Sequence, residues 1–147
     1  MSLKETLNND IKIAMKAKDK ETLAVLRMIK TAVQAAEIDK KEELNAEEEL
    51  TILAREAKQR RESLAEFVKA ERDELVAKTE AEIEIVERYL PKQLSVEEVK
   101  EVIATVAEKI GATTQKEFGK LMGAVMQELK GKADGNVIKE QVKAHLG

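Results

Sequence analysis

A single proline, Pro91, and only six glycines punctuate 147 residues, so there are few points at which a helix is forced to stop. Apolar residues recur every third or fourth position through most of the chain, the period of one helical face. Aromatic residues make up only 2%, which leaves Leu, Ile, Val, Met and Ala to supply almost all the packing. The 43% hydrophobic fraction is enough for a folded core, and the 37% of charged residues lies between the apolar positions. That arrangement fits exposed amphipathic helices better than a disordered tail. The expected fold is all-α with about seven helices: an N-terminal helical domain of about four helices over 1–94 and a small three-helix tail domain over 95–147.

Cap signals place the helices. The first is expected over about 2–18, with Leu3, Leu7, Ile11, Ala14 and Met15 inward, and Asp19 opens a second carrying Leu23, Leu26, Ile29, Val33 and Ala36. After an acidic link at 38–45, Asn45 and Glu48 form a capping-box pair for a third helix, whose stripe is read as Leu50, Leu53, Ala57, Arg61, Leu64 and Phe67/Val68. Leu75 and Val76 close it onto a shorter helix that starts at Thr79 with Glu82 and stops at Tyr89-Leu90-Pro91. Ser95 with Glu98 opens the tail, Leu94 and Val99 have the spacing of a hydrophobic staple, and Gly111 ends that helix. Thr114 with Glu117 starts the next, and a turn at 131–135 leads to the last.

The residues exclude more chemistry than they suggest. Without cysteine there is neither a disulfide framework nor thiolate chemistry. No apolar run approaches the length of a membrane span, and a cytoplasmic protein is expected. His145 is the only histidine and lacks companion ligands, so no metal, cofactor or catalytic residue is expected. Arg55, Lys58, Arg60 and Arg61 form a basic cluster, but Glu56, Glu62 and Glu66 stand at helical spacing to pair with it. Tyr89 reads as a packed domain-edge residue rather than a stacking platform. The net charge of −3 gives no global attraction to a polyanion, whereas residues 115–147 carry six basic against four acidic side chains.

The stretch 119–135 is the most informative, because it joins an apolar helix to a basic, glycine-punctuated turn. Gly119 and Gly123 lie four apart, a spacing that lets another helix approach the backbone closely, and Gly131 and Gly135 bracket the turn. Leu26-Arg27-Met28-Ile29-Lys30, Arg60-Arg61-Glu62-Ser63-Leu64-Ala65-Glu66-Phe67, Glu87-Arg88-Tyr89-Leu90-Pro91 and the 119–135 segment together resemble YqeY-like proteins over nearly the full chain. That family is similar to the C-terminal helical and tail region of the GatB subunit of the aspartyl/glutamyl-tRNA amidotransferase. The resemblance implies recognition of tRNA or structured RNA without catalysis by this chain, with Lys116, Lys120, Lys130, Lys132, Lys139 and Lys143 as phosphate contacts. DNA is not expected as a partner. The other readings are an accessory component of a glutamine-dependent carbon–nitrogen ligase and a structural module that binds the amidotransferase or another protein.

Overall fold

In the computed structural model residues 2–147 are described, and they form seven α-helices with no strand. These are α1 (Leu3–Lys16), α2 (Lys20–Lys40), α3 (Ala46–Lys69), α4 (Asp73–Glu87), α5 (Val96–Ile110), α6 (Phe118–Leu129) and α7 (Gly135–Leu146). A 3-10 turn, Gln115–Glu117, precedes α6. The chain divides into two compact units, one ending at Leu90 and the other spanning Pro91–Gly147. Residues 91–94 lie with the second unit, not the first. The Gln93 amide donates to the Gly131 carbonyl at 2.7 Å, the Leu94 N–H donates to the Lys132 carbonyl at 2.8 Å, and Leu94 packs on the second core.

In the first unit, α1 and α2 form a hairpin on which α3 and α4 pack. Leu7, Ala14, Val25, Leu26, Ile29, Val33, Ile52, Leu53, Ala57, Ile85 and Val86 make its core, with Tyr89 and Leu90 against it. Met15, expected inward, is exposed, and Val25 takes a buried position instead. Caps fix the helix starts: Ser2 accepts from the Glu5 N–H, Asp19 from the Thr22 N–H, and Asn45 forms a complete capping box with Glu48.

Two helix ends differ from the expectation for one physical reason. α1 stops at Lys16, where the Lys18 N–H donates to the Met15 carbonyl and the Asp19 N–H to the Ala14 carbonyl. α3 stops at Lys69, where the Glu71 N–H donates to the Val68 carbonyl and the Arg72 N–H to the Phe67 carbonyl. Both are Schellman closures, which satisfy the orphan carbonyls of the last turn and require a left-handed residue, here Lys18 at φ 57° and Glu71 at φ 54°. Glycine normally marks that position and marks it only at the end of α5, where Gly111 has φ 70° and the Ala112 N–H reaches the Ala107 carbonyl. α4 therefore begins at Asp73, with Asp73 and Glu74 in its first turn, and Thr79 is a buried mid-helix residue rather than a cap.

The second unit is a three-helix arrangement around Val99, Ile103, Val106, Ala107, Ala112, Leu121, Val125, Leu129, Ile138, Val142 and Leu146. Ser95 and Glu98 complete the capping box that opens α5. Gly131, at φ 75°, turns the chain after α6, and the Asp134 carboxylate caps α7 by accepting from the Asn136 N–H.

Candidate nucleic-acid interface

Charge is handled differently in the two units. Through Leu90 there are 17 basic against 21 acidic residues, while Pro91–Gly147 has nine lysines against eight acidic residues. In the first unit some basic side chains are held in ion pairs, while others, Arg55, Lys58 and Arg88 among them, are exposed. Arg60 is buried; its Nη1 donates to the Glu56 carbonyl at 3.1 Å and lies 3.4 Å from the Glu56 carboxylate, and its Nε donates to Glu82 at 3.2 Å. Arg61 reaches Glu87 at 2.9 Å, Lys4 reaches Glu37 at 3.1 Å, and Lys40 pairs with Glu48. The Arg60–Arg61 cluster thus acts as a clamp between α3 and α4. The buried stripe of α3 is Ile52, Leu53, Glu56, Ala57 and Arg60, offset from the expected one because two charged residues enter it as a pair.

The lysines singled out from the sequence all belong to the second unit. Lys116 lies on the 3-10 turn, Lys120 on α6, Lys130 and Lys132 on either side of Gly131, and Lys139 and Lys143 one turn apart on α7. Lys116, Lys120, Lys132, Lys139 and Lys143 are exposed, and among the described residues no ion pair holds any of them. Lys130 is half-buried and has an interaction of its own within the chain. The Gln115 amide donates to the Lys143 carbonyl at 3.1 Å, which brings Lys116 beside the C-terminal end of α7. Because α6 and α7 are joined by a five-residue turn and pack together, they run antiparallel, so Lys116, Lys120 and Lys143 gather at one end. Lys130 and Lys132 stand at the other, roughly 18 Å away along the twelve residues of α6 at ~1.5 Å per residue. The lysines are spread along the hairpin rather than gathered at a point; four of the eight acids of this unit lie on α5, and the other four, Glu117, Glu128, Asp134 and Glu140, lie on the hairpin and its turns.

The close-packing role read into Gly119 and Gly123 is not realised within the chain. Both are exposed, and a Cβ at either would meet nothing within 4 Å. The buried face of α6 is Leu121, Val125 and Leu129. The glycines and Met126 lie on the opposite side at ~100° per residue, so no helix of this unit covers them. Gly135 is the first residue of α7 rather than part of the turn, and a Cβ there also meets open space.

Tyr89 is half-buried, packs on the first core and donates its hydroxyl to the Asp10 carboxylate. Burial, reinforced by Asp10, pushes its phenol well above the ordinary tyrosine value, so it serves as a hydrogen-bond donor and not as a nucleophile. Its role was legible only in part, since a partner 79 residues away leaves no local trace. Among the described residues no group of three or more His, Cys, Asp or Glu is placed to hold a metal ion, and no helix is long and apolar enough to cross a membrane. His145 is exposed near the end of α7.

Comparison with known proteins adds what geometry alone does not. A profile of the family described as Yqey-like protein matches residues 4–146. The "Altered inheritance of mitochondria protein 41, mitochondrial" of Kluyveromyces lactis is 32% identical over 139 residues, covering 94% of this chain and 72% of the relative. The proteins of the same name from Pyrenophora tritici-repentis and Candida glabrata are 26% identical over 144 residues and 28% identical over 141. Those two alignments cover 96% and 95% of this chain, and 79% and 75% of the relatives. These relatives overturn the cytoplasmic assignment expected from the sequence, because each is named as a mitochondrial protein.

Proposed function

The chain belongs to the YqeY-like protein family, and we propose that it is a non-catalytic helical protein whose second unit grips the phosphate backbone of tRNA or another structured RNA. The observation that carries this reading is the contrast between the two units. The first unit carries 21 acidic against 17 basic residues and holds Lys4, Lys40, Arg60 and Arg61 in ion pairs. The second carries nine lysines against eight acids, and among the described residues no ion pair holds the five exposed lysines of its α6–α7 hairpin and adjoining turns. An ammonium group held by a carboxylate must give up that contact before it can meet a phosphate, and an unpaired one need not. The spread of these lysines suits successive backbone contacts, which position an RNA without reading its bases. Only Phe118 among the aromatics belongs to this unit, so extended base stacking contributes little.

Fluorescence anisotropy of a labelled tRNA with the purified chain at low salt tests the proposal. Wild type binds saturably, and replacing Lys132 and Lys139, both exposed, with alanine weakens binding while circular dichroism stays helical. No binding at low salt, or an unchanged affinity in the double variant, removes these lysines as the site. A second reading, a module that docks on the amidotransferase or another protein, draws on the uncovered α6 face of Gly119, Gly123 and Met126. Gly123→Leu separates the two: it blocks a docked helix and leaves phosphate contacts in place. Supplied alone with ATP, glutamine and a misacylated tRNA, the chain is expected to form no amidated product beyond a protein-free control.

A further inference from the structure

The α1–α2 hairpin and the end of α4 enclose a cleft of ≈ 380 Å³ within the first unit. That is the size of many small-molecule sites, which combine an apolar lining with a few convergent polar groups. Here Ala14, Ala17 and Leu26 supply apolar lining, joined by Ile13, a large apolar side chain left 64% exposed. Asp10 enters from α1, and Arg88 and Tyr89 from the end of α4.

The hydrogen bonds decide which of these groups can take a ligand. The Tyr89 hydroxyl donates to Asp10 Oδ2, and the phenol keeps its proton because burial and the Asp10 carboxylate both oppose ionisation. Asp10 is thereby fixed in place with Oδ1 lacking a protein partner among the described residues. Asp19, also in the lining, is occupied: Oδ1 accepts from the Thr22 N–H at 3.2 Å and Oδ2 from the Thr22 hydroxyl at 2.7 Å. Those bonds, with a smaller contribution from Arg88, hold Asp19 below the ordinary carboxylate value, so it stays charged. Two carboxylates against one guanidinium leave the cleft negative, and Asp10 Oδ1 is its open acceptor.

We propose that this cleft binds a small organic cation, a primary amine on a short apolar body, with the ammonium on Asp10 and the alkyl part against Ile13, Ala14, Ala17 and Leu26. Tyr89 acts as a positioning residue, since its hydroxyl holds the carboxylate that the ammonium meets. The site is independent of the hairpin lysines, and its failure would leave the RNA reading untouched.

NMR titration of the full chain with 3-methylbutylamine tests it, with 3-methylbutanol and 3-methylbutanoate as neutral and anionic counterparts of the same shape. The amine is expected to give saturable shifts at Ile13, Ala14, Ala17 and Thr22 that neither counterpart reproduces. Asp10→Asn, which keeps an acceptor for Tyr89, should weaken the amine by about tenfold or more, the scale of a lost charge-assisted hydrogen bond. Ile13→Ser, at an exposed position, should weaken it several-fold without touching the charge, and it decides the matter if Asp10→Asn loses helicity. Absence of saturable shifts, equal binding of the alcohol or carboxylate, or amine affinity unaltered in these variants overturns the proposal.

Discussion

Arg60→Met is the substitution that most sharply tests whether the buried arginine of the first unit is structural. The arginine side chain is 8% exposed, and Glu56 and Glu82 beside it are 12% and 24% exposed. Removing it strands the Glu56 carboxylate in the α3 interface, a change that typically costs about 3–5 kcal/mol when one partner of a buried pair is deleted. Glu82 is open enough to rehydrate, and the Glu56 contact at 3.4 Å is long, so the lower end, about 3 kcal/mol, is expected. For a unit of this size each kcal/mol shifts the melting temperature by roughly 4–8 °C, giving a fall on the order of 12 °C or more. Tyr89 is the only tyrosine, the chain lacks tryptophan, and Tyr89 packs in the first unit. Its fluorescence in a urea titration therefore follows that unit alone, without a two-state assumption for the whole chain. The double variant Arg60→Met with Glu56→Leu, which replaces the pair by apolar side chains, should recover most of the loss. A single variant costing under about 1 kcal/mol, or a double variant no better than the single, would refute the view of Arg60 as a buried clamp.

The left-handed closures of α1 and α3 make a second prediction: Lys18→Gly and Glu71→Gly should each stabilise by about 0.5–1 kcal/mol. Relief of ~1–2 kcal/mol of left-handed strain exceeds the ~0.4–1 kcal/mol of added chain entropy, and a fall in urea midpoint contradicts it. The capping carboxylates set an acid limit. Glu48 is held below the usual 4.5 by the Asn45 N–H and then by Lys40, and Glu98 by the Ser95 N–H and then its hydroxyl. Their contribution is complete above the unfolded value of 4.5 and is lost as pH falls through the lower folded value. Glu48→Gln with Glu98→Gln should accordingly flatten the decline of melting temperature below that pH, and a profile parallel to wild type would remove the caps from the account.

What could be read from residues alone divides along physical lines. The all-helical class follows from period and from the scarcity of breakers, and Asn45, Ser95 and Gly111 mark helix ends because their signals are local. The ends of α1 and α3 were missed because Lys18 and Glu71 occupy positions where glycine is the usual marker. Arg60 and Glu56 were missed as interior because a charge enters a core only with a partner, and Glu82 lies 22 residues away from Arg60. The spacing of Gly119 and Gly123 permits close packing, yet it cannot tell whether any helix arrives, and within this chain none does. For the lysines, exposure was foreseeable from the helical wheel. That no ion pair among the described residues holds the five exposed ones, although Glu117, Glu128 and Glu140 share their elements, became visible only in three dimensions.

The central claim, that unpaired lysines of the second unit hold RNA by its backbone, is tested most directly by the salt dependence of tRNA binding. If about four of the five exposed lysines meet phosphates, log Kobs should fall with log salt at a slope of roughly −3 to −3.5, at ~0.7–0.9 per contact. Replacing Lys116 and Lys143, which the Gln115 contact brings together, should reduce that slope by about 1.5. Arg60→Met, measured where it remains folded, should leave the slope as in wild type. A wild-type slope near zero, or one that survives loss of Lys116 and Lys143 and falls with Arg60→Met, would contradict the account.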